Sequence, residues 1–394
     1  MPVSLAAGGL SSLSGTIKNG TLINTNSTPN FNALGGSTLD GVTLGSNLNF
    51  IGGSYTLIKN SLLLANGITV NLGNHSFYWN TLNPTQELKT VSGNATINAA
   101  GGYPIYAGYG GTGQTVTIGS GITLQGYGYI GDSSVATIVN AGTLVANTAG
   151  QTFTINPTTF TNGVDLDPGP GVNIAGTLRA TAGTLAVAHE LEQHWRHRGT
   201  GGTLTITGTN LSNTGTLSVG AGSILNLGGS LTAANLGTFS RTAGSTVNLT
   251  GILDLSSGTL DIGSAGIFGS GGLSSLSGTI KNGTLINTNS TPNFNALGGS
   301  TLDGVTLGSN LNFTGGSYTD QKQPAAGQRH HRQSGQPQLL LEHPEPHART
   351  QDRIGQRHHQ RGRRLPHLCR LRRHRPDGHH RQRHHAAGLW VYRR

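Results

Sequence analysis

Residues 215–263 read GTLSVGAGSILNLGGSLTAANLGTFSRTAGSTVNLTGILDLSSGTLDIG, and this stretch decides the fold class. Apolar and polar residues alternate in runs of about four to six, and many of the apolar residues are β-branched, which is typical of short strands. Glycine, asparagine and serine separate the runs and mark turns. The same phrase recurs in GITVNLG (67–73), QTVTIG (114–119), GTLVAN (142–147) and GTLTITG (202–208).

The composition favours one all-β architecture. Glycine accounts for 63 of the 394 residues and aromatic residues for only 5%. No helical periodicity separates the strands, which argues against α/β folds with crossover helices. A sandwich or barrel needs more large apolar side chains than this chain has, whereas a solenoid fills only a thin core. We therefore predict an all-β parallel β-helix (β-solenoid) over residues 1–319, with coils of unequal length because the strand phrases recur at irregular intervals.

A long repeat marks both ends of this region. Residues 8–56, here called the first copy, recur as residues 271–319, the second copy, with a single difference, Ile51 against Thr314. Such agreement indicates a tandem duplication in the gene. The chain begins next to a copy, and its first residues contain neither a basic segment nor a long apolar run. We expect a piece of a longer exported protein, so the missing signal peptide does not argue for the cytoplasm.

Residues 320–394 differ from the rest in composition. They hold 17 of the 25 Lys and Arg, 12 of the 16 His and the single cysteine, Cys369. With 5 of the 15 acidic residues, this segment has a net charge of +12, while residues 1–319 carry −2. Because residues 1–319 lack cysteine, they contain no disulfide framework and no cysteine-based metal site.

The basic segment matches the continuation of the first copy translated out of frame. Each of its codons combines the last base of one codon with the first two bases of the next. Leu57-Ile58, written CTG-ATC, gives GAT, which encodes Asp320, and the rule holds throughout 320–394. We therefore interpret this segment as an out-of-frame basic tail that forms no domain, and we predict that it is disordered.

The frameshift interpretation bears on two functions that the tail could otherwise indicate. QRHH occurs at 328–331, 356–359 and 382–385, and repeated His pairs beside Arg are typical of metal sites or nucleic-acid contacts. If the segment is out of frame, neither function was selected. A translated tail would be polycationic and would bind nucleic acid or anionic surfaces without specificity.

A second charged segment, AHELEQHWRHR (188–198), resembles the zinc-protease motif HExxH with one extra residue. On a helix, His189 and His194 at i and i+5 would lie about 140° apart and could not share a metal. An alternative frame gives TNWSNTGAIAA, which is similar to TNLSNTG at 209–215. We favour a local, compensated frameshift, with a genuine charged loop or a metal site as the alternatives.

Two motifs could indicate a site. GYGGTG (108–113) satisfies GxGxxG, but a strand phrase follows it where a dinucleotide site requires a helix. Asp165 and Asp167 could form the carboxylate pair of a glycosidase. However, Pro168 and Pro170 indicate a turn at that point. We predict no catalytic, cofactor-binding or metal-ligating residue, and no cofactor.

Other candidate residues have structural explanations. Asp254 and Asp261 are expected at outward strand positions, and His75 is the only histidine outside the two charged segments. A tyrosine cluster could stack on sugars, since aromatic rings supply rigid contact area. We favour packing against neighbouring residues in a locally widened coil. The cluster comprises Tyr103, Tyr106, Tyr109, Tyr127 and Tyr129.

Residues 209–262 resemble the large repetitive bacterial surface proteins of the filamentous-haemagglutinin-like and autotransporter-passenger kinds. The resemblance lies in the Gly/Thr/Asn strand phrases and covers about residues 8–319. It implies a right-handed parallel β-helix, export to the cell surface and a role in adhesion or aggregation. The implied partners are glycans or proteins on host or neighbouring cells. We expect a structural or adhesive repeat protein with no enzymatic activity, no specific nucleic-acid partner and no transmembrane segment.

Two alternatives come from other functional classes. A carbohydrate-active parallel β-helix enzyme would need three or more acidic or basic side chains converging on one face of a coil. A nucleic-acid binder acting through the basic tail would need that tail to be a selected sequence.

Sequencing the coding DNA around codons 186–200 and 315–325 tests the frameshift interpretation. We expect a net loss of two bases at the end of the second copy; restoring them continues the second copy as LIKNSLLLANGITVNLG. A coding sequence whose bases do not generate 320–394 from the frame of the first copy would contradict it.

Overall fold

The computed structural model describes residues 3–5, 10, 12–52, 54–79, 85–107, 114–131, 136–165, 173–174, 176–188, 190–193, 197–199, 201–209, 211–213, 215–315, 318–321 and 338–341. All of them belong to one compact unit, Met1–Pro344. This part of the chain contains forty short strands, a single 3-10 turn at Ala233–Leu236 and no α-helix.

The strands lie in chain order as follows. The first thirteen are β1 Val3–Leu5, β2 Thr16–Lys18, β3 Thr21–Asn24, β4 Asn30–Asn32, β5 Ser37–Leu44, β6 Leu48–Ile51, β7 Tyr55–Leu64, β8 Thr69–Gly73, β9 Ser76–Trp79, β10 Thr85–Thr90, β11 Ala95–Ala100, β12 Tyr106–Ala107 and β13 Gln114–Ile118. The next fourteen are β14 Ile122–Ile130, β15 Ala136–Asn140, β16 Thr143–Ala146, β17 Thr152–Ile155, β18 Thr159–Asn162, β19 Val164–Asp165, β20 Asn173–Ile174, β21 Thr177–Ala180, β22 Thr184–Val187, β23 Glu190–Gln193, β24 His197–Gly199, β25 Thr203–Ile206, β26 Ser212–Asn213 and β27 Thr216–Val219. The last thirteen are β28 Ile224–Leu227, β29 Ser230–Thr232, β30 Thr238–Arg241, β31 Thr246–Leu249, β32 Ile252–Asp254, β33 Thr259–Asp261, β34 Ser275–Leu276, β35 Thr279–Ile286, β36 Asn293–Asn295, β37 Ser300–Leu307, β38 Asn312–Thr314, β39 Tyr318–Gln321 and β40 Gln338–Leu341.

One turn of the chain contributes a strand to each of three stacks. β15, β16 and β17 form such a turn, after which β18 pairs in parallel with β15. β16 likewise pairs with β14 and β21, and β17 with β14 and β22. Successive turns repeat this course and give about 12 parallel stacked coils. The predicted parallel β-solenoid is confirmed.

The coils differ in length, as the irregular spacing of the strand phrases predicts. Ser37 pairs with Thr56 on the next coil, whereas Thr143 pairs with Thr177 after a coil that is nearly twice as long. The longer coil contains β19 and β20, which form the one antiparallel pair among the described strands. Extra residues therefore leave the stack as loops or a hairpin, and the strands on either side keep their parallel pairing.

Alternating side chains point into a continuous core. On β15 and β17 every second residue is buried, and these inward residues stack on those of neighbouring coils. One such column consists of Val42, Leu62, Leu88 and Ile118, all without exposed surface. Because water is excluded along the column, each residue contributes about 1.5–3 kcal/mol of burial free energy.

The same column becomes polar further along the chain. Ile118 pairs with Asn140, and Asn140 pairs with Asn162. Both asparagines are fully buried, and the Asn140 amide donates to Oδ1 of Asn162 at 2.7 Å. The Asn140 side chain also accepts from the Gly142 backbone N–H at 3.1 Å. These bonds satisfy buried amide groups and fix the corner that follows β15.

The two copies of the duplicated sequence adopt the same register. Asn30 pairs with Asn49 in the first copy, and Asn293 pairs with Asn312 in the second. The pairs Thr16–Thr38, Ser37–Thr56 and Leu13–Ala33 recur in the same way as Thr279–Thr301, Ser300–Thr319 and Leu276–Ala296. Because the neighbouring coils differ, the pairing must be encoded within the duplicated sequence itself.

The stack extends past the predicted boundary at residue 319. β39 reaches Gln321 and pairs with β37, and β40 pairs with β39. The rest of the predicted basic tail lies outside the described residues. In the segment 188–198, the described backbone forms strands in place of a loop: β23 pairs with β18 and β26, and β24 with β21 and β27.

Replacing Phe153 by Ala tests whether inward residues stabilise the chain by packing in the thin core. Phe153 has no exposed surface on β17, so the substitution should lower the free energy of unfolding by about 3–5 kcal/mol. Hydrogen exchange of residues 152–155 and of β22 measures the loss. The control, Thr154→Ala, changes a partly exposed neighbour and should shift the value by less than about 0.5 kcal/mol. Equal effects of the two substitutions would contradict the inward assignment.

Candidate functional site

The most unusual polar cluster in the core contains Ser37, Thr56 and His75, none of which has exposed surface. Ser37 Oγ lies 3.0 Å from Thr56 Oγ1, and Thr56 Oγ1 lies 3.0 Å from His75 Nε2. His75 Nδ1 lies 3.2 Å from the Gly52 carbonyl oxygen. The three residues belong to successive coils and form a hydrogen-bonded column, which we call the Ser–Thr–His column.

The protons in this column have a defined order. A carbonyl oxygen can only accept, so Nδ1 of His75 carries the hydrogen that is donated to Gly52. In the neutral imidazole Nε2 is then an acceptor, so Thr56 donates to it, and Ser37 donates to Thr56. Burial lowers the pKa of His75 from 6.5, although the bond to Gly52 raises it in part. The imidazole of His75 is therefore neutral in the folded chain at neutral pH.

A serine close to a histidine is typical of a catalytic nucleophile and its general base. Here the hydroxyl that contacts the imidazole belongs to Thr56, and Ser37 reaches His75 only through it. All three side chains are enclosed, and the imidazole packs against Phe50 with ring centroids 5.0 Å apart. The arrangement links three coils and satisfies their buried polar groups. Strand alternation does not predict this column, although the sequence holds a signal for it: successive members are spaced by 19 residues.

An amide ladder runs along the outer face of the solenoid. The Asn49 amide donates to Asn30 at 3.3 Å, Asn71 donates to Asn49 at 2.7 Å, and Asn98 donates to Asn71 at 2.7 Å. Gln125 completes it with a 2.8 Å bond to Asn98. Every bond runs from an amide nitrogen to the oxygen of the preceding coil. The ladder joins five coils and presents neutral amides to solvent.

A tyrosine column lies on the outer face near β7, β9 and β12. Tyr55 stacks on Tyr78 with ring centroids 4.6 Å apart, and Tyr106 lies against Tyr78 at the same distance with its ring tilted by 31°. Tyr103 meets Tyr106 edge to face at 5.1 Å and approaches Tyr129 at 5.4 Å. Ring faces in the column are occupied by neighbouring rings, which supports the packing interpretation. Tyr129, at one end, is 50% exposed.

Asp254 and Asp261 lie at outward strand positions, as predicted: each is partly exposed beside buried leucines. Asp254 accepts from the Ser256 backbone N–H at 2.9 Å and pairs with Lys281 at 3.2 Å. The Ser256 bond is the main cause that lowers the pKa of Asp254, so this carboxylate stays ionised and is a poor general acid. Asp261 is held separately by the Gly263 and Thr288 backbone N–H groups.

The remaining candidates fall partly outside the described residues. Residues 108–113, Asp167, His189 and His194 lie outside them, and the backbone of Asp165 belongs to the hairpin strand β19. Within the part of the chain that the structure describes, no group of three His, Cys, Asp or Glu residues could hold a metal ion. In the same part, no helix is long and apolar enough to cross a membrane.

The Ser–Thr–His column predicts a pH-dependent stability. Because folding lowers the pKa of His75 below 6.5, the unfolded chain takes up the proton first as the pH falls. The contribution of His75 to the free energy of unfolding is therefore fully present above about pH 6.5. Below that pH it declines, by at most about 1.4 kcal/mol per pH unit. Urea denaturation between pH 8 and pH 5 measures the decline.

The matched control is His75→Gln, which retains hydrogen-bonding capacity without a titrating group. We expect this variant to lose the part of the pH dependence that is centred below pH 6.5. A parent chain and variant with superimposable pH profiles would contradict the assignment.

Comparison with known proteins adds no further constraint. No family model matches the chain, and no curated protein or solved structure matches it. A proposal for the function of the chain is therefore argued from the solenoid and its side-chain columns.

Proposed function

We propose that the chain is a structural and adhesive repeat protein of the bacterial cell surface. In this proposal the solenoid is a spacer, and its outer faces make many weak contacts with glycans or proteins of host or neighbouring cells. The resemblance of residues 209–262 to repetitive surface adhesins and the parallel solenoid both support it.

The observation that carries the proposal is the chemistry of the outer faces. Neutral amides recur along one outer face and tyrosines along another, on successive coils about 4.8 Å apart along the stack. Identical shallow contacts at a fixed spacing suit multivalent binding, in which weak individual contacts sum to high avidity. An enzyme needs one site of converging groups instead.

The tyrosine column is the proposed contact region. Its rings are held by stacking, so little side-chain entropy is lost when a partner binds. Since ring faces are covered by neighbours, a partner would meet ring edges and hydroxyl groups along the column. Tyr129, the most exposed member, lies at its end next to Tyr103.

Adhesion of beads coated with the full chain tests this function. We expect coated beads to bind immobilised glycans or cell-surface proteins more strongly than beads coated with an unrelated soluble protein. Replacing both Tyr103 and Tyr129 by Ala should reduce retention under flow at least several-fold. The matched control is Ser218→Ala, which changes a partly exposed residue of β27, several coils away from the tyrosines, and should leave retention unchanged.

The same preparation tests the enzymatic alternative. Release of reducing ends from polysaccharide substrates would favour a carbohydrate-active enzyme and contradict the adhesive proposal. If retention does not depend on the tyrosines, the contact region lies on another face of the solenoid.

A further inference from the structure

Three members of the tyrosine column come from successive coils and lie in one line along the stack. Tyr78 and Tyr106 are partners in the parallel pair of β9 and β12, so they lie directly opposite each other. Tyr55, on the coil before, is offset by two residues, because it pairs with Ser76. Tyr78 is therefore the middle ring, with the centroid of a neighbouring ring 4.6 Å away on each side.

The strands hold these rings in place. Phe77 and Trp79, on either side of Tyr78, have no exposed surface. Ala107, beside Tyr106, is equally buried. These inward neighbours fix the strands in the core, so the outward rings keep the spacing of parallel strands, about 4.8 Å. Groups held at such a distance react as parts of one molecule, without the entropic cost of an encounter.

Solvent reaches the tyrosine column, above all at one end. Tyr55, Tyr78 and Tyr106 lie at outward positions and are partly exposed. Tyr129 is 50% exposed, and the ring of Tyr103 lies between it and Tyr106, with centroid distances of 5.4 and 5.1 Å. A diffusible oxidant therefore has access to phenol groups whose rings are in contact with one another.

We propose that the tyrosine column is a site of oxidative cross-linking, in which Tyr78 is joined to Tyr55 or to Tyr106 as dityrosine. The oxidant is a peroxide acting through a haem peroxidase, which removes one electron and the hydroxyl proton from each of two phenols. The two phenoxyl radicals form a bond between ring carbons ortho to the oxygen. The hydrogen on each of these carbons then moves through solvent to the ring oxygen, which restores both hydroxyl groups. The peroxide takes up the two electrons and two protons and becomes two molecules of water.

The orientation of the rings selects the pairs that couple. The unpaired electron of a phenoxyl radical occupies orbitals perpendicular to the ring, so nearly parallel rings direct these orbitals at each other. The rings of Tyr55 and Tyr106 are tilted by only 19° and 31° against that of Tyr78. Tyr103 meets Tyr106 edge to face, at 88°, which directs the orbitals away from each other. Tyr103 and Tyr129 are tilted by 31°, but their centroids are further apart, at 5.4 Å.

The product is a covalent link between coils. A bond between Tyr78 and Tyr106 closes one coil into a loop, and a bond between Tyr55 and Tyr78 closes the coil before it. Closing a loop restricts the unfolded chain more than the folded chain, so the cross-linked coils should separate less readily. This modification does not depend on the adhesive role of the same tyrosines.

Hydrogen peroxide in limiting amount and a haem peroxidase, added to the dilute full chain, test the proposal. We expect dityrosine fluorescence in the monomer fraction, with a yield per chain that is independent of protein concentration. Peptide mass spectrometry should find Tyr78 in most of the cross-linked pairs, with the loss of two hydrogen atoms for each bond. Cross-links formed only between chains, or pairs in which Tyr78 is no more frequent than other tyrosines, would overturn the proposal.

Two phenylalanine variants separate ring contact from exposure. Tyr78→Phe keeps the ring and its packing but removes the phenol, so the yield of dityrosine within one chain should fall at least about fivefold. Tyr129→Phe removes the most exposed phenol of the column and should lower the yield less than about twofold. If Tyr129→Phe causes the larger loss, exposure selects the pair and the proposal is wrong. Circular dichroism checks that both variants keep the fold, and the peptide map of the parent chain decides the outcome without them.

Discussion

Each coil of this chain forms its backbone hydrogen bonds with the coil before it and the coil after it. Most of the strands are too short to be stable alone, and a single coil cannot bury its apolar side. Stability therefore comes from stacking. Which side chain is favourable at a position depends on the residues directly above and below it in the stack. Columns of compatible side chains follow from this constraint, whether apolar, as at Leu62 and Leu88, or polar, as at Asn140 and Asn162.

The fold could be predicted because strand alternation is local and the composition excludes a wide core. The inward apolar residues are Val247 and Leu249 in STVNL and Leu260 and Ile262 in GTLDI, as the alternation requires. The outward positions of Asp254 and Asp261 follow from the same pattern. These predictions needed no knowledge of which coil stacks on which.

The register could not be predicted in the same way. Because coil length varies nearly twofold along the chain, the vertical neighbour of a given residue is undetermined in the sequence. Thus the sequence marks His75 as a lone histidine but does not show that Thr56 and Ser37 complete its hydrogen bonds. The tyrosines at 103–129 form a visible cluster, yet Tyr55 and Tyr78 join them only through stacking of coils that are distant in sequence.

The direction of the hydrogen bonds has a mechanical consequence. The strands lie across the stack, so the hydrogen bonds between coils run along it. Tension applied to the two ends would therefore break the interfaces between coils one after another. A coil that detaches would release chain with a fully extended length of roughly 60 to 120 Å, at about 3.3–3.6 Å for each residue. Under load, such a stack would lengthen in discrete steps and dissipate energy at each step, while the remaining coils kept their structure.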